Sequence, residues 1–562
     1  MTVSHDLAAT ASSWPLVVTA LLLTTWSMMT SSAAAAACVG DCNGDRAVAV
    51  NELVTGVNIA LGAAALDTCP ALQCRDGQPI GIDCIVQAVN SALDGCPPSV
   101  PAPQLEGPIT RPGTPFVAGT SFDPALVGYV QREYFVSGTA RSFRPLGSLG
   151  QDGRWDVAPA DAAAYKTRVV VYQPEDPARF NGSVVLEWLN VSGGLDASPD
   201  WTYLHTELIR EGYAWAGVSA QRLGIEGGTA AVGVVNLPLK IVDPVRYASL
   251  THPGDSFSYD IFSQVGQALR QPAAGNPLGD LAVQRVIAAG QSQSAFRMVT
   301  YANAVHPLAR VFDGFLVHSR GGIGAPLSEA PQMAVAVPGT AAVRDDLDAP
   351  TLILQTESDL TFLQYAAARQ PDSGRIRLWE VAGTAHADAY LLVGGRTDLG
   401  DSVEPYTLVV TSEPIPGFVS CSVPINSGPQ HVVAKAALAA LERWVRDGTP
   451  PPTAPRLDLE AGPPVALRRD ARGNALGGIR TADVDVPIAT LSGDPQGDSI
   501  LCSLFGSTVP FDAATLTALY GSSAAYVAAV TQATDAAVAA GFVLPADAVR
   551  IKDAAALVEI TP

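Results

Sequence analysis

The chain is 562 residues long, beyond the size at which one compact core is usual, so more than one domain is expected. Its composition, 48% hydrophobic and 16% charged, is that of a globular protein. A formal net charge of −20 excludes a nucleic-acid binder, which needs a basic face to release counterions, and it disfavours anionic membrane surfaces.

Residues 15 to 29, PLVVTALLLTTWSMM, form an apolar run that passes into SSAAAAAC. The run is shorter than the ~20 residues a membrane span needs, and small residues follow it, so 1–37 reads as a secretory signal peptide. Lipid anchoring at Cys38 is the lesser alternative to a secreted, cell-surface or periplasmic mature chain. Cys38, Cys42, Cys69, Cys74, Cys84 and Cys96 crowd the first hundred residues. After an export signal, such an even, dense set reads as a disulfide framework.

ELVTGVNIALG at 52–62 recurs as CIVQAVNSALD at 84–94, and each copy leads to a Cys-Pro. Two short amphipathic helices are therefore expected to pack as one unit, since neither buries its apolar face alone. Before the first stands DCNGDRAVAVNE, with Asp41, Asn43 and Asp45 at loop positions 1, 3 and 5. Ala47 offers its carbonyl at 7 and Glu52 its carboxylate at 12. This set of oxygens on a turned loop suits calcium, although Arg46 replaces the glycine of an EF-hand. The second loop keeps Asp76-Gly77 but has Cys84 where the bidentate acid belongs. Residues 38–97 thus resemble a dockerin-like tandem EF-hand module, which implies a small all-α fold and Ca2+ in the first loop. A cohesin-like partner is not expected, because nothing marks a binding face.

A proline-rich linker is read at 98–115, and a larger domain at 116–562. Strands are predicted at 133–140, 167–174, 183–189, 213–220, 284–290, 314–320, 350–356 and 375–381. From the third onward they alternate with helical patterns, and QHVVAKAALAALERWVRDG closes the series. This is the pattern of an α/β fold: an eight-stranded, mostly parallel sheet covered by helices on both faces, with an antiparallel lead-in.

GQSQS, residues 290–294, lies where a buried strand passes into a helix. A serine on so sharp a turn needs small residues two before and two after it. Ser292 has Gly290 and Ser294, whereas Ser294 would have Ser292 and the bulky Phe296. Ser292 is the candidate nucleophile. ILQTESDL ends a later strand with Glu357 and Asp359, and GTAHAD ends the next with His386. Serine, acid and histidine in this order, at strand ends of one sheet, converge on one edge. Asp359, further out on its loop, is the preferred acid and Glu357 the runner-up. His205, His318 and His431 are read as packing residues. The oxyanion of an acyl-transfer intermediate would be bound by the N–H of Gln293 and, from the loop NVSGGLD, that of Val191. Trp188, Trp201 and Trp215 are weighed between an aromatic cleft and the core.

The stretches VVLEWLNVSGGLDASPDW, EGYAWAGVSAQRLGIEGG, GQSQSAFRM, ILQTESDL and GTAHAD resemble the α/β-hydrolase domain-containing family of secreted bacterial serine hydrolases, over roughly 105–562. The resemblance implies the α/β-hydrolase fold, hydrolytic chemistry without a catalytic cofactor, and a long extension over about 450–562. Within that region Cys421 and Cys502 are the natural pair for a disulfide. The leading expectation is a carboxylic-ester hydrolase acting on a small-molecule or polymeric ester. Peptidase, thioesterase, acyltransferase and a non-catalytic, calcium-stabilised surface protein are the alternatives.

Overall fold

The computed structural model describes residues 38–43, 47–74, 80–96, 100–110, 112–233, 235–270, 276–497 and 499–561. The expected signal peptide, Asp45, Arg46 and the Asp76-Gly77 turn lie outside them. The chain divides into two compact units, Met1–Pro98 and Ser99–Pro562.

In the first unit, the repeated segments form helices α1 (Val50–Ala60) and α2 (Ile82–Asp94). Their small shared core is built from Ile59, Leu72 and Ala88 around half-cystines. Disulfides Cys38–Cys96, Cys42–Cys69 and Cys74–Cys84 reinforce it. So few apolar residues could not hold a separate fold without such cross-links.

The second unit is built on a nine-stranded sheet in the order β1-β2-β3-β5-β4-β6-β7-β8-β9. Its strands are β1 (Gln104–Glu106), β2 (Tyr129–Pro145), β3 (Val157–Pro174), β4 (Ser183–Trp188), β5 (Ala214–Val218), β6 (Arg285–Gln291), β7 (Gly314–His318), β8 (Thr351–Gln355) and β9 (Ile376–Glu380). All eight expected strands are present. The count of eight is corrected by β1, which lies inside the stretch read as linker and pairs antiparallel with β2. Three residues among prolines carry too little apolar pattern to be recognised. β2 and β3 form the antiparallel lead-in, and β3 joins β5 antiparallel. From β5 to β9 every pairing is parallel.

Successive residues of a strand face opposite sides of the sheet, so each central strand feeds two cores. Val184, Leu186, Val286 and Ala288 pack with helices α4 (Ser258–Arg270) and α5 (Gln293–Thr300). Val185, Ile287, Leu316 and Leu352 pack with α3 (Pro199–Arg210) and the closing helix α6 (Gln430–Asp447). The C-terminal extension ends in helices α7 (Ser523–Ala540) and α8 (Pro545–Ala555). It is held to the domain by a fully buried ion pair, Lys435–Asp547 at 2.6 Å, and by Trp379 packing edge-on against Phe542. The Cys421–Cys502 disulfide is formed as well. With four disulfides and no free cysteine, the chain has the chemistry of an extracellular or periplasmic protein. Among the described residues, no single helix is long and apolar enough to cross a membrane.

Candidate active site

Ser292 stands between the end of β6 and the start of α5 with φ 61° and ψ −126°, a backbone state that L-residues rarely adopt. The turn is held by its N–H, which donates to the His318 carbonyl at 3.0 Å. It requires small neighbours for a visible reason. A Cβ on Gly290 would lie 2.9 Å from the carbonyl carbon and oxygen of Ser294, and equally close to Met298 Cγ. Ser294 is fully buried and its hydroxyl has no partner among the described residues, whereas Ser292 is only half-buried.

Two further strand ends meet this serine. His386 Nε2 lies 2.7 Å from Ser292 Oγ, and His386 Nδ1 lies 2.6 Å from Asp359 Oδ1. The other Asp359 oxygen accepts the Thr356 N–H at 2.7 Å, which fixes the carboxylate toward the ring. The structure therefore brings Ser292, His386 and Asp359 into one hydrogen-bonded chain. Glu357 points elsewhere. It accepts the N–H groups of Gly383 and Gly493 at 2.6 and 3.0 Å and pairs with Arg469 at 3.0 Å. Burial raises its carboxyl above the usual range, with Arg469 opposing the shift.

The loop after β4 lies beside the serine. Asn190, not singled out from sequence, donates to the Gln291 carbonyl at 3.0 Å, and its side-chain oxygen accepts the Ser192 N–H at 2.8 Å. It thus ties this loop to the residue preceding Ser292. Gly194 has φ +88°, and a Cβ there would lie 1.9 Å from the Val235 carbonyl oxygen, so the loop needs glycine at that point. Val191 is buried within the loop, and Gln293 opens α5. No backbone acceptor among the described residues bonds to either N–H.

Other supports were also invisible in the sequence. Gln291 donates to the His386 carbonyl at 3.0 Å, and the Ser358 hydroxyl accepts the His386 N–H at 3.2 Å. An Asn, Gln or Ser beside a strand end has no pattern that marks it as a positioning group. His205, His318 and His431 are packing residues. His318 bonds Asp200 at 2.8 Å, His205 lies between the carbonyls of Thr202 and Asp398, and His431 stacks on Tyr390. Trp201 and Trp215 stack on Tyr172, and Trp188 packs on Phe262, so the aromatic-cleft reading is set aside in favour of core.

A cavity of about 440 Å³ opens at Ser292 and His386. Ser192 and Gly193 form one side. The rest is chiefly apolar, with Leu391, Phe418, Leu501, Leu504 and Phe505 among its walls. The last three belong to the C-terminal extension, which was not assigned a role from sequence. The cystine 421–502 joins the segment bearing Phe418 and Val419 to the helix Ile500–Phe505.

In the first unit, Asp41 and Glu52 are buried. Glu52 folds back over the loop, one oxygen accepting the N–H groups of Cys42 and Asn43 at 2.8 and 3.2 Å, the other that of Ala49 at 2.9 Å. Asn43 and Ala47 lie at its exposed side, and Asp45 is outside the described residues.

The model of a family described as "Alpha/beta hydrolase domain" matches residues 100–553. The chain belongs to this family. As an α/β-hydrolase it carries Ser292 on the strand-to-helix turn of a mostly parallel sheet. Comparison with curated proteins finds no match. Among solved structures, it is similar to an α/β serine hydrolase without a lid from Xanthomonas campestris, at 13% identity and TM-score 0.23, over 43% of this chain and 83% of that one. Fungal esterases from Rhizomucor miehei give 10% and 0.22, over 44% and 75%. A glucuronoyl esterase from Solibacter usitatus gives 10% and 0.24, over 50% and 84%. Likenesses this low say nothing about the substrate of this α/β-hydrolase.

Proposed function

We propose that this α/β-hydrolase is a secreted serine hydrolase that cleaves carboxylic esters with an aliphatic group. One observation carries the reading: the chain Ser292 Oγ, His386, Asp359, at 2.7 and 2.6 Å, on a strained turn at the mouth of an apolar cavity. His386 Nε2 takes the Ser292 proton as Oγ attacks the acyl carbon. Asp359 holds Nδ1–H and so leaves Nε2 free to act as base. The N–H groups of Gln293 and Val191 stabilise the developing oxyanion. The alcohol leaves with the proton from His386, and water, deprotonated by the same ring, releases the acid and frees Ser292. The walls from Leu391, Phe418 and Leu504 favour aliphatic groups over charged ones.

A fluorophosphonate should label the wild type and Ser294→Ala equally and Ser292→Ala not at all. A well-folded wild type that resists labelling would overturn the assignment and favour a binding role for the scaffold.

For the first unit we propose Ca2+ held by Asp41, Asn43, Asp45, the Ala47 carbonyl and Glu52, with Glu52 already folded over the loop in support. The ion would stabilise this unit and take no part in hydrolysis. Calcium added to chelator-treated protein should raise the melting temperature of this unit in wild type and not in Glu52→Gln. Equal melting curves with and without the ion would refute it.

A further inference from the structure

The apolar wall of the Ser292 cavity continues outward past its mouth. Phe418 lines the cavity and is nevertheless 72% exposed. Val423 and Ile500 are exposed as well, by 36% and 53%. Val423 stands two residues after Cys421 and Ile500 two before Cys502, and the bond between these cysteines holds their Cα atoms 5.6 Å apart. The cystine thus gathers three exposed apolar side chains from segments 81 positions apart. Ile500 lies one helical turn before Leu504, which lines the cavity, so it stands next to the wall.

The backbone that carries Phe418 is fixed. Its N–H donates to the Ile415 carbonyl at 2.9 Å across Pro416 and Gly417, and Gly417 has φ +77°. Proline followed by a positive φ at these two positions marks a type II turn. Val419, the next residue, is buried and its N–H returns to the same carbonyl at 2.9 Å. The ring is therefore held in water by a stiff turn, at a cost in free energy that a covering phase would remove.

Charge narrows what covers this rim. Residues 414–430 and 499–511 contain no Asp, Glu, Lys or Arg, so the rim offers nothing to steer a charged partner. Among the described residues that line the cavity, only Arg396 bears a permanent charge. The net charge of −20 repels an anionic layer. A single dissolved ester that fills the cavity leaves Phe418, Val423 and Ile500 in water. A layer of neutral esters fills the cavity with one molecule and covers the rim with its neighbours, removing both apolar surfaces from water together.

We infer that the substrate is drawn from an assembled, water-insoluble phase of neutral aliphatic esters, on which Phe418, Val423 and Ile500 seat the mouth of the cavity. The inference rests on the reading of Ser292 as an ester-cleaving nucleophile, but the seating itself requires no reaction.

The probe is emulsified tributyrin with the full-length protein. Ser292→Ala should float with the droplets, and adding Val423→Ser and Ile500→Ser should weaken that adsorption roughly tenfold. In the otherwise wild-type chain the same pair should slow turnover of the emulsion by a similar factor. It should leave hydrolysis of dissolved p-nitrophenyl acetate unchanged, since neither residue lines the cavity. Phe418→Ser, made in Ser292→Ala, should also weaken adsorption and serves if the paired variant does not fold. Absent adsorption, or equal adsorption in a folded variant, would overturn the inference. So would a dimer that the paired variant dissociates while adsorption stays the same. A wild type that adsorbs but leaves p-nitrophenyl acetate intact would instead remove the reading of Ser292, and the droplet seat would stand.

Discussion

Asp359→Asn should lower kcat for a p-nitrophenyl ester by about 10⁴-fold, with KM little changed. The carboxylate accepts from His386 Nδ1 at 2.6 Å and from the Thr356 N–H at 2.7 Å. An amide in its place would present an N–H to one of these donors and favour the wrong tautomer of the ring. Glu357→Gln should behave differently, because that side chain holds Gly383, Gly493 and Arg469 rather than the histidine. It would leave Arg469 facing a neutral amide and one buried N–H opposed by an NH2, costing about 1–3 kcal/mol of stability. Its kcat should stay within about tenfold of wild type. Thermal melting and steady-state kinetics on the two variants separate the roles. If Glu357→Gln loses turnover and Asp359→Asn keeps it, the acid has been assigned to the wrong residue.

Removing the cystine with Cys421→Ser and Cys502→Ser should destabilise the second unit by about 4–5 kcal/mol, as expected for a cross-link closing a loop of this length. The two half-cystines are 81 residues apart in sequence and are buried with Ile425 and Phe505. The loss should also appear in substrate binding, because Phe418 and Val419 on one side of the bond and Leu501 and Leu504 on the other line the Ser292 cavity. KM should rise several-fold for a hexanoate ester and change little for an acetate ester, since only the longer chain reaches these walls. An equal rise for both esters would mean that the cystine supports the whole site rather than its apolar part. An unchanged melting temperature would contradict the structural role.

Ser292, Asp359 and His386 were legible because each lies just beyond a buried strand, and a parallel sheet brings such ends to one edge. The choice between Asp359 and Glu357 could be argued from sequence only by distance along the loop. In the fold, Glu357 is committed to Arg469, a residue 112 positions away. Likewise β1 was hidden, because a three-residue strand is defined by its partner β2 and not by its own side chains.

The order of apolar runs, turn residues and cysteines determined by itself the two units, the α/β architecture, the lead-in hairpin and the strand-to-helix turn at Ser292. These are local matters: alternation sets which face is buried, and the small residues at 290 and 294 permit the turn. Only the tertiary structure decided that Asn190 and Gln291 steady the site and that the extension walls the Ser292 cavity. It also laid His431 flat against Tyr390, with neither ring nitrogen bonded among the described residues. Those outcomes depend on contacts between residues from tens to more than a hundred positions apart, and no sequence period records where such partners meet.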